Sequence, residues 1–194
     1  MRPEDWAGAI GAWTFDHGEL VCEGKITSSA IFYEPLRPRD FDLSVQFEFE
    51  SVESSAGVVF RDDGRDFHSA ASFYQFEWYT RGTHHDKRLS LMKKMWAAGQ
   101  EGPWWIQIVE PKYPEAPLHE WRTFRVRAEG EHLRTWLDGE LVFDKIDKTF
   151  VRAGRVALHT FQARKMRYRR FRIESLDGPP SGPGSLPRRG GDAG

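Results

Sequence analysis

In the run Tyr74-Gln75-Phe76-Glu77-Trp78 an amide and a carboxylate alternate with three aromatic rings. On a β-strand successive side chains point to opposite faces, so Gln75 and Glu77 share one face and the three rings share the other. Such a pair can hydrogen-bond sugar hydroxyls, and Glu77 can serve as a general base. The same residues also suit an ordinary cross-strand polar contact on a sheet surface. A second cluster lies in His132-Leu133-Arg134-Thr135-Trp136-Leu137. There His132, Arg134 and Trp136 take the face opposite Leu133 and Leu137, and a tryptophan flanked by charges offers a ring on which a sugar can stack. The alternative is that Trp136 is covered by the loop carrying Trp104 and Trp105. Those two are candidate ligand-binding rings themselves, because eight tryptophans in 194 residues need not all be buried.

Asp62, Asp63 and Asp66, with Gly64 among them, gather carboxylates in a short loop, as a hard cation such as Ca2+ prefers. Their spacing is not that of a calcium-binding helical hand, and a solvated turn uses the same residues. His84-His85-Asp86 has metal-binding residue types, but adjacent histidines on a strand diverge, so a polar loop is expected. The run Arg164-Lys165-Met166-Arg167-Tyr168-Arg169-Arg170 alternates and reads as an edge strand whose charges discourage pairing, rather than as a nucleic-acid contact. Cys22 is the only cysteine, so no intrachain disulfide forms, and it reads as a small buried thiol.

The elements that must position these groups are strands. In Phe41–Phe49 the odd positions are apolar and the even ones polar, the period of a half-buried strand. The alternation returns in Trp121–Ala128 and in Leu133–Leu137, after which Asp138-Gly139 supplies a tight turn into Leu141-Val142-Phe143. Val156–Leu158 and Tyr168–Ile173 read as two more strands. In Lys87–Ala98, Leu89 and Leu91 alternate and favour a strand over a helix. Ala97–Leu118 carries two glycines and four prolines around Trp104-Trp105-Ile106, one short strand between long loops. Short strands at roughly 8–12-residue spacing with Gly and Pro between them argue for an all-β sandwich.

Composition agrees with a soluble globular domain. Hydrophobic residues make up 39%, and 28 basic residues nearly balance 29 acidic ones, so nothing draws the chain to nucleic acid or an anionic membrane. The start MRPEDWAGAIGAW lacks an apolar stretch of roughly 7–15 residues, and no run of about 18 apolar residues exists, so no secretory signal or membrane span is expected and the location read is cytoplasmic. Residues 1–175 are expected to form the domain. Residues 176–194, rich in Gly, Pro and Arg, are expected to be a disordered tail.

Several segments together resemble a known fold. Trp13–Leu20 is similar to the "W-x-x-x-x-G-x-L" start of concanavalin A-like domains, and Asp40–Val45 to their "F-x-L-x-v" strand. Ala56-Gly57-Val58-Val59-Phe60-Arg61 resembles "S/A-G-i-x-f-R", with Tyr74–Glu77 as the following strand. Trp121–Val126 and Leu137–Phe143 resemble "W-x-x-x-r-V…l-D-G-x-x-v-f", and Gly154–Leu158 and Phe171–Ile173 the closing "G-x-i-g-L…f-r-n-i-x-i". The likeness covers roughly residues 6–175 and is shared by laminin G-like modules, which bind glycans or proteins, and by the 3-keto-disaccharide hydrolase family related to family 16 glycoside hydrolases. It implies a concanavalin A-like jelly-roll β-sandwich of two antiparallel sheets, with a ligand groove on the concave one. The Glu-x-Asp-x-(x)-Glu motif of family 16 glucanases is absent, and Glu48 and Glu50 share what reads as a solvated face. In the keto-disaccharide hydrolase pattern Tyr74–Glu77 corresponds to Tyr-Glu-x-Gln, so acid and amide stand in swapped order here. Arg61 matches that family's arginine, which places it beside Gln75 and Glu77 as a sugar ligand.

Three functions follow as expectations: a carbohydrate-binding domain of lectin type; a glycoside or 3-keto-disaccharide hydrolase built on Glu77, Gln75 and Arg61; and a protein-interaction module using the aromatic, Pro-rich loop. Arg61, Glu77 and Trp136 around one pocket would favour the first two. Their burial, with an exposed patch at Trp104-Trp105, would favour the third.

Overall fold

In Phe41–Phe49 every odd residue is buried and every even one half-buried, so the sequence alternation is realised residue by residue. The computed structural model describes residues 1–24, 28–80, 89–96, 102–109, 113, 115–161 and 165–178. After one 3-10 turn at Pro3–Asp5 the described residues form strands β1 (Trp6–Ile10), β2 (Trp13–Asp16), β3 (Glu19–Glu23), β4 (Ser29–Tyr33), β5 (Phe41–Phe49), β6 (Ser55–Asp62) and β7 (Phe73–Tyr79). Then follow β8 (Leu89–Met95), β9 (Trp104–Val109), β10 (Arg122–Glu129), β11 (His132–Leu137), β12 (Glu140–Ile146), β13 (Arg155–Thr160) and β14 (Lys165–Ser175). Two antiparallel sheets result, in the orders β1-β4-β13-β6-β7-β8-β9 and β12-β11-β10-β5-β14-β3-β2. This is the jelly-roll sandwich the alternation and the resemblance predict. Asp138 and Gly139 both have positive φ, 50° and 86°, as a two-residue hairpin between β11 and β12 requires. His84–Asp86 and the segment beyond Gly178 lie outside the described residues. No helix among the described residues is long and apolar enough to cross a membrane.

The core fills the space between the sheets. Leu43, Val45 and Phe47 from β5 meet Val58, Phe76 and Leu91 from the first sheet, and Phe47 and Phe124 lie with ring centroids 4.1 Å apart. A second apolar cluster, including Phe32, Val59, Phe67 and Phe73, sits on the opposite, outer face of the first sheet. It forms because the loop between β6 and β7 folds back over that face and stacks Phe67 on Phe73 at 4.9 Å. The centre of the first sheet is therefore covered on both sides, and β6 and β7 are buried at every residue.

One element corrects the sequence reading. The basic strand β14 is not an edge but lies inside the second sheet between β5 and β3. Its charges have partners on the neighbouring strands: Lys165 reaches Glu50 at 2.9 Å, Arg167 contacts Glu50 and Glu19, and Arg169 donates to Gln46 at 3.0 Å. Met166 and Tyr168 alternate into the core. Cys22 is buried there too, which pushes its thiol pKa up to about 11 and keeps it unreactive.

Asp147, just after β12, ties the two sheets. It accepts hydrogen bonds from Tyr74 on β7 at 2.7 Å, from Lys93 on β8 at 2.7 Å, and from the Thr149 backbone. Burial alone would raise its pKa, but these donors outweigh burial and lower it from 3.8 to about 2. A depressed carboxylate contributes stability that is present above its unfolded pKa and lost as pH falls through the folded one. Urea midpoints should therefore fall between about pH 4 and pH 2, and Asp147→Asn should flatten that part of the profile.

Candidate functional site

Because β13, β6, β7, β8 and β9 are adjacent, their registers line residues up in rows across the outer face of the first sheet. One row runs His159, Gly57, Glu77, Ser90. The next runs Ala157, Val59, Gln75, Met92, and a third runs Phe73, Lys94, Trp105. Gly57 is the consequential residue. Having no side chain, it lets His159 and Glu77 meet across the strand between them, with Nδ1 of His159 3.3 Å from Oε1 of Glu77. A Cβ on Gly57 would stand 3.3 Å from the Phe76 carbonyl and 3.5 Å from Cβ and Cγ of Glu77. The contacts with Glu77 are ordinary van der Waals distances and only the Phe76 carbonyl is crowded, so Gly57→Ala should shift the strand by a few tenths of an ångström and cost roughly 1 kcal/mol. The check is a denaturation midpoint, with the His159 ring signals followed by NMR.

Glu77 is 1% exposed and accepts hydrogen bonds from Ser55, from Gln75 and from Tyr79, the last at 2.6 Å. Burial pushes its pKa up, but the charge on His159 and the bonds from His159, Ser55 and Tyr79 outweigh burial and hold it below the usual carboxylate range. Glu77 is thus a buried anion at neutral pH. On His159, Nδ1 faces Oε1 of Glu77 at 3.3 Å and the amide nitrogen of Gln75 at 3.2 Å. Nε2 lies 2.9 Å from the Ser28 hydroxyl. Tyr168 steadies the strand, donating to the His159 carbonyl at 2.6 Å and accepting from the Gly57 amide at 3.0 Å.

A cavity of about 380 Å³ opens over these rows, with Ser28, Gln75, Glu77, Tyr79, Lys94 and His159 supplying polar atoms and Phe67, Phe73, Met92, Trp105 and Phe161 apolar walls. Lys94 donates to the carbonyls of Phe67 at 2.6 Å and His68 at 3.0 Å, and its ammonium lies 5.8 Å from the Trp105 ring centroid. Burial lowers its pKa. Oε1 of Gln75 is buried and has no hydrogen-bond partner among the described residues. A buried acceptor without a partner is costly, and at a cavity wall it is free for a ligand donor.

Of the residues singled out from the sequence, Glu77, Gln75 and Trp105 come together here. Arg61 does not line this cavity. The backbone at Arg61 is left-handed (φ 53°), and the register breaks between Arg155 and Ala157, so the strand leaves its alternation. The guanidinium turns inward to the carbonyls of Arg39 and Phe150, each at 3.0 Å, and to Asp40 at 3.3 Å. Trp136, His132 and Arg134 lie on the other sheet. There Arg125 covers the Trp136 ring at 4.6 Å, His132 contacts Asp144, and Arg134 contacts Glu129. Trp104, 57% exposed, is absent from the cavity wall that its neighbour Trp105 helps to form. The acidic loop turns its carboxylates to internal donors, apart from Oδ2 of Asp62, which is buried without a hydrogen-bond partner among the described residues. Asp62 accepts from Arg155 at 2.6 Å, Asp63 from Arg65, and Asp66 caps the Ser69 amide at 2.8 Å. No metal-binding cluster of His, Cys, Asp and Glu occurs among the described residues. The loop's effect is to place Phe67 over the cavity.

Sequence reasoning missed His159, Ser28, Lys94 and Tyr79. For His159 and Lys94 a local signal existed, since each continues the alternation of an outer-face row. Ser28 gave none.

The sequence model for 3-keto-alpha-glucoside-1,2-lyase-like domains matches residues 2–174. Among solved structures, the carbohydrate binding module CBM66 from Bacillus subtilis superposes with a TM-score of 0.70 at 20% identity, covering 88% of this chain and 96% of that one. A protein of unknown function with a galectin-like fold, also from Bacillus subtilis, gives 0.67 at 12% identity over 89% and 90%. The potassium-bound carbohydrate recognition domain of Emp46p gives 0.64 at 10% identity over 88% of each chain. At these identities the structures establish the fold. No curated protein matches the chain in sequence.

Proposed function

The chain belongs to the family of 3-keto-alpha-glucoside-1,2-lyase-like domains, and from that membership we propose that its outer-face cavity binds a small glycoside. The observation that carries this reading is the union, in one cavity of about 380 Å³, of aromatic walls with a buried amide oxygen, Gln75 Oε1, that has no partner among the described residues. A sugar presents apolar C–H faces and a rim of hydroxyls. Trp105 takes the first, and Gln75, Lys94 and the Ser28–His159 pair take the second. The carbohydrate-binding names of two structural neighbours support the ligand class.

The site also suits the chemistry in the family's name. Elimination from a 3-keto glycoside removes the proton from the carbon between the ketone and the glycosidic carbon. The resulting enolate expels the glycosidic oxygen, which takes up a proton. His159, oriented by Glu77, is a base for the first step, and Lys94 is a cation to face the enolate oxygen. The test is a thermal-shift and turnover screen against mono-, di- and 3-keto-disaccharides. At a hundredfold excess over Kd, stabilisation of about 2.7 kcal/mol should raise the melting midpoint by roughly 5–10 °C. Stabilisation with turnover of the keto sugar establishes the lyase, stabilisation alone establishes a binding module, and no response to any sugar overturns both.

A second reading rests on a different observation. Trp104, Trp105 and Ile106 are 57%, 51% and 38% exposed along β9, an edge of the first sheet. An exposed aromatic edge suits protein docking, and under that reading Trp105 substitutions change partner capture and leave sugar responses absent.

A further inference from the structure

Ser28, His159 and Glu77 stand in contact at the cavity, and we propose that Ser28 is the nucleophile of an acyl-transfer site that removes small acyl groups from sugar esters. Each ring nitrogen of His159 faces one of the other two, and Nδ1 also faces the amide nitrogen of Gln75 at 3.2 Å. Nε2 lies 2.9 Å from the Ser28 hydroxyl, and Nδ1 lies 3.3 Å from the Glu77 carboxylate. A serine hydroxyl is a weak nucleophile until a base within hydrogen-bond reach takes its proton, and the base works best when a buried carboxylate holds its other nitrogen. All three roles are filled here, by residues from three places in the sequence. The fold brings them together through register: Ala30 on β4 pairs with His159, so the chain entering β4 carries Ser28 to the ring, and Gly57 opens the way from His159 to Glu77.

The step balances without a co-reactant other than water. Ser28 Oγ attacks the ester carbonyl carbon while its proton passes to Nε2 of His159. The bond between that carbon and the sugar oxygen then breaks, and the leaving sugar oxygen takes the proton from Nε2. Water attacks acyl-Ser28 in the same way, releasing the carboxylic acid and restoring the hydroxyl. Lys94, on the wall of the same cavity, is the positive group available to the carbonyl oxygen as it becomes anionic. The cavity, about 380 Å³, gives room beside Ser28 for a sugar ring carrying a small acyl group such as acetyl. The sugar half of this substrate rests on the binding reading above; the nucleophile does not.

The full chain should be treated with a fluorophosphonate probe and, separately, assayed with p-nitrophenyl acetate. The expected result is one phosphonyl adduct, located by peptide mapping of the wild-type protein on Ser28. Ester hydrolysis should fall at least ~10²-fold in Ser28→Ala and His159→Gln. Glu77→Gln, which removes only the positioning charge, should lower kcat and leave KM in place. No adduct, or an adduct on another serine, overturns the proposal. Sugar-induced stabilisation without labelling removes the nucleophile and leaves the binding reading intact. Labelling without any sugar response does the reverse, leaving an esterase of non-sugar substrates.

Discussion

Glu77→Ala is expected to lower the melting midpoint by roughly 6–20 °C and to abolish every response to ligands. The carboxylate is 1% exposed, is the common acceptor for Ser55, Gln75 and Tyr79, and lies 3.3 Å from Nδ1 of His159. Removing one partner of a buried pair leaves the rest uncompensated, at a cost of about 3–5 kcal/mol, and each kcal/mol is worth about 2–4 °C in a domain of this size. The same group gives the stability profile a sign. Its pKa is held below the ordinary 4.5, so its contribution is present above that value and is lost as the pH falls through the lower folded value. Urea midpoints measured from pH 7 down to pH 3 should decline for the wild type. A variant as stable as the wild type, with sugar responses intact, would remove Glu77 from both structure and site.

Trp105→Ala is expected to do the opposite, weakening ligand binding by roughly thirtyfold, about 2 kcal/mol, with little change in stability. The ring is 51% exposed, so little buried surface is lost, yet it forms one wall of the cavity. Trp136→Ala is the matched control. That ring lies on the other sheet beneath Arg125 and should leave affinity unchanged. Titration calorimetry of the three proteins separates the outcomes. Equal affinities for wild type and Trp105→Ala, with a loss in Trp136→Ala, would move the ligand to the other sheet.

The strands were legible because a period of two is a local property. Phe41–Phe49, the Asp138-Gly139 hairpin and the Trp104 strand all stand where alternation and turn residues put them. Gln75 and Glu77 were legible for the same reason. What a single sequence does not carry is register between distant strands. His159 and Glu77 meet only because both pair with Gly57, and Ser28 joins them only through the pairing of β4 with β13. The misplacements have local causes as well. At Arg61 one left-handed residue breaks the alternation that would have aimed it at Glu77. At β14 the basic residues looked like an exposed edge until their partners Glu19, Gln46 and Glu50 were seen on the flanking strands. The outer face of β7 looked like a polar surface because nothing in the sequence announced that the Asp63–Ser72 loop folds back over it.

The central claim, that the outer-face cavity is a glycoside site, is tested most directly by a crystal structure of the full chain grown with a disaccharide. The account predicts a sugar ring against Trp105, with hydroxyls bonded to Gln75 Oε1, Lys94 and the Ser28–His159 pair. A sugar bound instead on the Trp136 face, or a cavity that stays empty while the ligand binds elsewhere, would contradict it.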